Sequence, residues 1–220
     1  VALGFMPSSN ILCGLACTGT QVVPIGSEHI HPPMSPPLPR AWHFLRRAVY
    51  RRLAAVTALT EMSADWIRAN TGARAVPVLP NPIEYPMPSA GPVVAPGAVL
   101  PARRDARTLL AVGRLANQKG FDRLLNAFAR VRDSHPNWRL AILGEGPLRK
   151  ELECQIQALQ LGDCVFMPGA VGNIGEWYEW ADAYAMTSRH EGFGNTLAEA
   201  LAHGLPSVAV DCEHGPREIL

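Results

Sequence analysis

The sequence predicts an α/β protein made of two doubly wound parallel sheets. Three observations carry that expectation. Strand-length apolar stretches alternate with amphipathic helical stretches along most of the 220 residues. An interval rich in Pro, Gly and Ala, residues 86–104, divides them into two series. In the second series, the loops GRLANQKG, GEGP and EGFGN each follow a strand.

In the first series, residues 1–85, VALGFM reads as a strand and SSNILCGLACTG as a helix with serine near its start. VVPIGSEHI is a second strand, running into the proline-rich loop HPPMSPPLP. The helix AWHFLRRAVYRRLAAV follows, with Trp42, Leu45, Val49, Leu53 and Val56 on one stripe at the helical period. A short strand ALT, a helix MSADWIRANTG and a strand AVPVLP complete this half. The interval 86–104 is expected to be a linker, because prolines at that density sustain neither a helix nor a central strand.

In the second series, residues 105–220, TLLAVG is a strand, FDRLLNAFARVRD a helix and WRLAILG a strand. PLRKELECQIQALQ is a helix expected to begin with proline in its first position, where a missing N–H costs nothing. DCVFMPG, ADAYAMTS and PSVAVD are strands, with EWYEWA and TLAEALAH as helices between them. Right-handed crossovers then bring the three glycine-rich loops to the carboxyl edge of one sheet, where ligands of such folds bind.

Composition excludes several classes. The formal charge of +1 gives no basis for nucleic-acid binding. The five cysteines, Cys13, Cys17, Cys154, Cys164 and Cys212, are scattered and complete no zinc pattern, so buried reduced thiols in a reducing cytoplasm are expected, with no metal site. No apolar run approaches the roughly twenty residues that span a bilayer. VALGFMPSSN has neither a basic leader nor an initiating methionine, and GPREIL stops where a helix begins. The expectation is a fragment cut inside the fold at both ends, inactive or barely active alone and with apolar edges left uncovered.

Chemistry concentrates at the glycine-rich edge. Arg114 and Lys119, between Gly113 and Gly120, suit a diphosphate, since a guanidinium offers paired donors and an ammonium a flexible point charge. In EGFGNTLAEALAHG the backbone around Gly194 and Asn195 would aim N–H groups and a helix dipole at an anion. Glu191 and Glu199 could hold hydroxyls beside it, and a diphosphate with a ribose describes a nucleotide. The competing reading of Thr196 and Glu199 is a capping box that satisfies the helix's first amides.

GRLANQKGFDRLLNAF, LAILGEGPLRKEL and EGFGNTLAEALAHGLPSVAVD, with DCEHGPREI, SEHIHP and VLPNPI, resemble the family 4 glycosyltransferases of bacterial surface-polysaccharide synthesis. That resemblance implies the GT-B fold of two Rossmann-like domains, both incomplete here, and transfer of a hexose or N-acetylhexosamine from a nucleotide sugar, UDP being favoured, to a glycan or lipid-linked acceptor. It implies retention of configuration, no required metal or other cofactor, and a front-face displacement assisted by the leaving phosphate. It assigns Arg114 and Lys119 to the donor diphosphate, Glu199 to the ribose and Glu191 to the donor sugar. The backbone at Asn195 and Thr196 would contact phosphate, and Gly192, Phe193 and Gly194 would line the donor site. Gly113 would approach the donor, and Gly172 and Asn173, in the loop 169–173, would border the base. His29 would touch the donor sugar or the acceptor, a structural histidine being the alternative.

Arg40, Arg46, Arg47, Arg51 and Arg52, with Phe44 beside them and no acid among them, read either as a solvated face or as a patch for anionic lipid. The second reading implies a cytoplasmic protein, peripheral on the inner face of the plasma membrane. Two other functions fit the architecture. An epimerase acting on the sugar nucleotide would need acid and base groups that the motifs do not supply. A non-catalytic binding subunit would have no need of all four of Arg114, Lys119, Glu191 and Glu199.

Overall fold

The structure is a computed structural model describing residues 1–34, 39–100, 105–212 and 215–220. Its first half is a three-stranded parallel sheet in the order β1 (Ala2–Phe5), β2 (Pro24–Glu28), β3 (Ala55–Ala58). Helices α1 (Met6–Ala16), α2 (Arg40–Tyr50) and α3 (Glu61–Thr71) join and flank the strands. Ile11, Val49, Tyr50, Leu53, Val56 and Ile67 form the core of this half. α3 shows how locally the chain is specified: Thr60 Oγ1 accepts from Ser63 N at 3.3 Å, and Gly72 ends the helix in the left-handed conformation, φ 73°.

Several expected elements shift here. The long helix ends at Tyr50, so Val56 leaves the helical stripe and enters β3, where alternate residues are buried. The stripe marked the core correctly but ran two elements together, because Val56 and Ala58 also satisfy a period of two. AVPVLP forms only a bridge, Ala58 with Val78, since Pro77 and Pro80 have no N–H to donate. The residues 35–38 of the proline-rich loop lie outside the described residues.

The second half is a five-stranded parallel sheet ordered β6 (Val165–Gly169), β5 (Trp138–Leu143), β4 (Arg107–Val112), β7 (Ala183–Met186), β8 (Ser207–Ala209). Its helices are α4 (Pro96–Val99), α5 (Phe121–Arg132), α6 (Arg149–Ala158), α7 (Ile174–Trp180), α8 (Asn195–Ala202) and α9 (Pro216–Ile219). β4 sends Ala111 to a core with Leu124, Leu125, Phe128 and Ile156, and Leu110 and Val112 to a second core with Trp177, Tyr178, Leu197 and Leu205. Both faces are therefore covered, as a parallel sheet requires. The chain progresses from β4 through β5 to β6 and then returns to the other side of β4 with β7. The loops after β4 and β7 thus flank the point where strand order reverses.

Two further expectations are corrected. Pro147 is not the first residue of α6, because Leu148 N first bonds Leu115 O at 3.0 Å and Arg149 N bonds Gly146 O at 3.2 Å, and the helix begins at Arg149. The interval expected as a linker contains α4 and packs on the second half through Met87, Val94, Val99 and the buried Leu100. The hydrogen bonds its prolines cannot make come from outside. Val94 O accepts from Trp177 Nε1 at 2.8 Å and Asn173 Nδ2 at 3.1 Å, and Ala90 N donates to Gly172 O at 2.9 Å. Residues 101–104 lie outside the described residues. No disulfide joins the cysteines among the described residues; Cys164 and Cys212 are buried, whereas Cys154 is exposed on α6, against the expectation of buried thiols.

A polar cluster joins α1, β2 and α2. Asn10 imitates a neighbouring strand, its Oδ1 accepting from Ser27 N and its Nδ2 donating to Ser27 O, both at 3.1 Å. Beside it Tyr50 donates a short hydrogen bond to Oε1 of the buried Glu28, whose Oε2 finds no partner among the described residues. Burial pushes the Glu28 carboxyl above its ordinary value of 4.5, against the opposing pull of Tyr50, Arg46 and Asn10. A carboxyl whose folded pKa is raised contributes stability that is present below its unfolded value and is lost as pH rises through the folded one. Relative to Glu28→Gln, the wild-type chain should therefore lose stability as pH rises from about 4.5 toward neutrality, read as the difference between their urea midpoints across that range.

Candidate functional site

The loop after β4 and the loop after β7 press on each other backbone to backbone. Gly120 sits at φ 65°, and a Cβ on it would lie 2.1 Å from Thr187 O. Only glycine allows both the left-handed turn and that approach. The contact is laced by hydrogen bonds: Arg189 N to Gln118 O at 2.7 Å, Gln118 Nε2 to His190 O at 3.1 Å, and Thr187 Oγ1 to Lys119 O at 3.2 Å. Arg189 grips Asp122 through two bonds of 2.8 and 2.6 Å, which holds the Asp122 carboxyl below its ordinary value.

This seam brings together two residues expected from the sequence. Lys119 Nζ lies 2.6 Å from Glu191 Oε1, and Ser188 Oγ donates to the same oxygen at 2.6 Å. Glu191 is buried, so the pair is a desolvated one in which each charge requires the other. Arg114 stands on the same loop, exposed, and no side chain among the described residues pairs with it. Behind it, Gly144 at φ 134° brings the loop after β5 so close to Gly113 that a Cβ would lie 2.0 Å from Gly113 O.

Gly194, at φ 102°, starts α8 without any side-chain cap. Its carbonyl accepts from Leu197 N and Ala198 N, which leaves the amides of Asn195 and Thr196 without an acceptor among the described residues. The capping box suggested by Thr196 and Glu199 does not form, because both residues lie inside the helix and face buried tyrosines. Tyr184 donates to Thr196 Oγ1 at 2.7 Å, and Tyr178 to Glu199 Oε2 at 2.9 Å. Burial, with the nearby carboxylates, pushes both phenols far up, so they remain donors. Glu199 keeps its other oxygen for a further partner.

The turn 192–194 also meets the first half. A Cβ on Gly192 would lie 2.5 Å from His29 O, and Asn81 Nδ2 donates to Asn195 Oδ1 at 2.9 Å. His29 thus lies beside the Glu191 loop, although its ring bonds Ser27 Oγ at 3.0 Å and rests 5.3 Å from Phe5. Phe193 sits half-buried in the same turn, its carbonyl 2.4 Å from where Gly215 would carry a Cβ. Gly172 and Asn173 are not brought to this group. Gly172 exchanges backbone hydrogen bonds with Ala90 and Pro92, while the buried Asn173 side chain bonds Val94 and Glu176. Their polarity is occupied in anchoring the 86–100 interval. Sequence reasoning missed Ser188, Tyr178 and Asn81, whose spacing from the glutamates and Asn195 carries no local signal.

Two parallel sheets flanked by helices, with the loops of the second converging on an uncapped helix, define the GT-B class. HepE from Anabaena in complex with UDP superposes with a TM-score of 0.80 at 20% identity, covering 99% of this chain and 62% of that one. Residues 98–220 match the family described as glycosyl transferases group 1, and the chain belongs to that family. It is 38% identical over 117 residues to an uncharacterized glycosyltransferase of Methanocaldococcus jannaschii, across 53% of this chain and 29% of that protein. It is 40% identical over 119 residues to the amylovoran biosynthesis glycosyltransferase AmsD of Erwinia amylovora, across 54% of this chain and 33% of the relative. The chain thus spans about a third of the length of the curated relatives it matches.

The Lys119–Glu191 pair should be strongly coupled. Lys119→Met strands a buried carboxylate and should destabilise the chain by about 3 kcal/mol. The double-mutant cycle with Glu191→Gln, followed by urea denaturation, should return a coupling above about 1 kcal/mol.

Proposed function

We propose that this chain carries the donor site of a retaining glycosyltransferase that moves a hexose or N-acetylhexosamine from a nucleotide sugar to a glycan or lipid-linked acceptor. One observation supports the reading most: the amides of Asn195 and Thr196 lack acceptors among the described residues at the start of α8, with exposed Arg114 on a neighbouring loop and Glu199 one turn into the helix. An anion at the amides gains from the dipole, a guanidinium supplies further donors, and a carboxylate with a free oxygen accepts from a ribose hydroxyl. UDP is the favoured nucleotide, in keeping with the UDP held by the structural relative HepE.

In this reading Lys119 is oriented by Glu191 toward the diphosphate, and Arg114 and Lys119 supply the positive charge that stabilises its departure, with no metal required. The bond from the sugar's anomeric carbon to the diphosphate breaks as the acceptor oxygen attacks the same face, and the acceptor proton passes to the diphosphate. Glu191, one of whose oxygens is held by Lys119 and Ser188, lies beside the donor sugar in this reading, and the front-face route asks no protein nucleophile of it. In the same reading His29, whose backbone carbonyl meets Gly192, contacts the transferred sugar or the acceptor.

The acceptor's source is suggested by α2 and the turn that follows it. Phe44, Arg47, Arg51 and Arg52 are exposed, which suits peripheral contact with anionic lipid on the inner face of the plasma membrane. Arg46, expected beside them, is instead buried with its guanidinium 4.8 Å from the Trp66 ring centre, and the Arg40 side chain lies outside the described residues. Among the described residues no helix is long and apolar enough to cross a membrane.

Titration with UDP, GDP and ADP, followed by ligand-observed NMR, tests the donor site. Saturable binding of UDP is expected, weakened about tenfold or more in Arg114→Ala and in Glu199→Ala, since each removes a charged partner. Binding of none of the three overturns the reading. For the lipid surface, cosedimentation with phosphatidylserine-containing vesicles should fall by about 1 kcal/mol for each of Arg47, Arg51 and Arg52 replaced by Gln. Equal recovery with pure phosphatidylcholine vesicles would refute that contact.

A further inference from the structure

We propose that Glu218 is a latch between the two halves of the chain and, through the turn 192–194, a positioning residue for the donor site. Glu218 stands on α9, which packs on α8 in the second half. Its Oε2 accepts from Glu61 N at 2.8 Å, and its Oε1 reaches Met62 N at 3.5 Å. Those amides open α3, in the first half. Thr60 caps Ser63 N only, so the amides of Glu61 and Met62 would otherwise have no partner among the described residues. A carboxylate there is favoured by both hydrogen bonding and the helix dipole.

The surrounding charges leave Glu218 free for this contact. Glu61, whose own acid would repel it, is drawn toward Arg68 at 3.5 Å, while Arg217 turns to Asp211. Sequence distance gives no hint of the arrangement, since 157 residues separate the partners.

The latch reaches the donor turn directly. Gly215, just before α9, is at φ 92°, and a Cβ on it would lie 2.4 Å from Phe193 O. Ile219 Cδ1 lies 3.4 Å from the Cβ that Gly194 lacks. α9 is therefore seated on the turn that precedes α8, and the same turn meets His29 O through Gly192. Drawing α9 toward α3 presses that turn against the first half. Approach of the two halves and the shape of the anion-binding turn thus form one equilibrium, and a ligand that orders the turn must favour the latch to the same degree as the latch favours the ligand.

The test is amide hydrogen exchange, resolved by residue in NMR, on the wild-type chain, Glu218→Gln, Glu218→Ala and Arg217→Ala. Exchange at Glu61 and Met62 should be about fivefold faster in Glu218→Gln and faster still in Glu218→Ala, as expected for loss of a charge-assisted partner at exposed amides. Arg217→Ala, on the same short helix, should leave both amides unchanged. The isosteric Glu218→Gln decides the matter if the alanine variant loosens the whole fold. Unchanged exchange in Glu218→Gln and Glu218→Ala, or an equal rise in Arg217→Ala, overturns the latch. The coupling to the donor turn rests on the reading of that site as a nucleotide site. UDP should slow exchange at Glu61 and Met62 in the wild-type chain and not in Glu218→Ala, and UDP binding that leaves both amides unmoved overturns the coupling. Failure of UDP to bind at all would count against the donor reading, while the latch is decided by exchange without nucleotide.

Discussion

The candidate site depends on the backbone-to-backbone contact between the loops after β4 and β7. A Cβ at Gly120 would collide with Thr187 O, so the two loops close only because that position is glycine. Once closed, they bury Glu191 against Lys119 and Ser188, and Arg189 locks to Asp122 at the side. Charged residues that would be solvated on separate loops become a fixed, partly dry group. A low local dielectric strengthens each such interaction and penalises any that lacks its partner. The seam lies where strand order reverses, the one place along the sheet edge where neighbouring loops diverge enough to admit a ligand.

A second constraint acts from below. Tyr178 and Tyr184 rise from the core of the second half to bond Glu199 and Thr196, so the first turn of α8 is fixed by side chains beneath it rather than by a cap in front. A capping side chain would occupy the amides of Asn195 and Thr196. Support from beneath leaves them directed outward. The helix start is therefore ordered and unsaturated at once, which is a preorganised arrangement for an anion.

Much of this was legible in the sequence, and the misses share a cause. The strands and helices of the second half were readable because period-two and period-3.6 patterns alternate there with glycine at the turns. Arg114, Lys119, Glu191 and Glu199 stood out because they fall on loops that topology must gather. Other features depended on partners distant in the chain. Val56 fitted a helical stripe until β2 offered it a ladder, and Arg46 counted as a surface charge until Trp66 came beneath it. That Gly172 and Asn173 also anchor residues 90–94 could not be read locally, because their partners lie about eighty residues earlier in the chain. The T-x-x-E spelling was correct for a capping box, but Gly194 rather than Thr196 took the N-cap position, and the box lost its geometry.

The interval around residues 87–100 has a mechanical consequence. Because Trp177, Asn173 and Gly172 bind it to α7 and the loop before that helix, it moves as part of the second half. Leu79 N is still bonded to Ala58 O of the first half. Tyr85 packs its ring 4.9 Å from that of His203, at the end of α8, so the chain left to bend between them is the short run from residue 80 to 84. Asn81, within that run, is bonded to Asn195 at the head of α8. The pivot is therefore at the site itself, so rotating one half about the other becomes a small tilt at the anion-binding turn and a long sweep at the far rims.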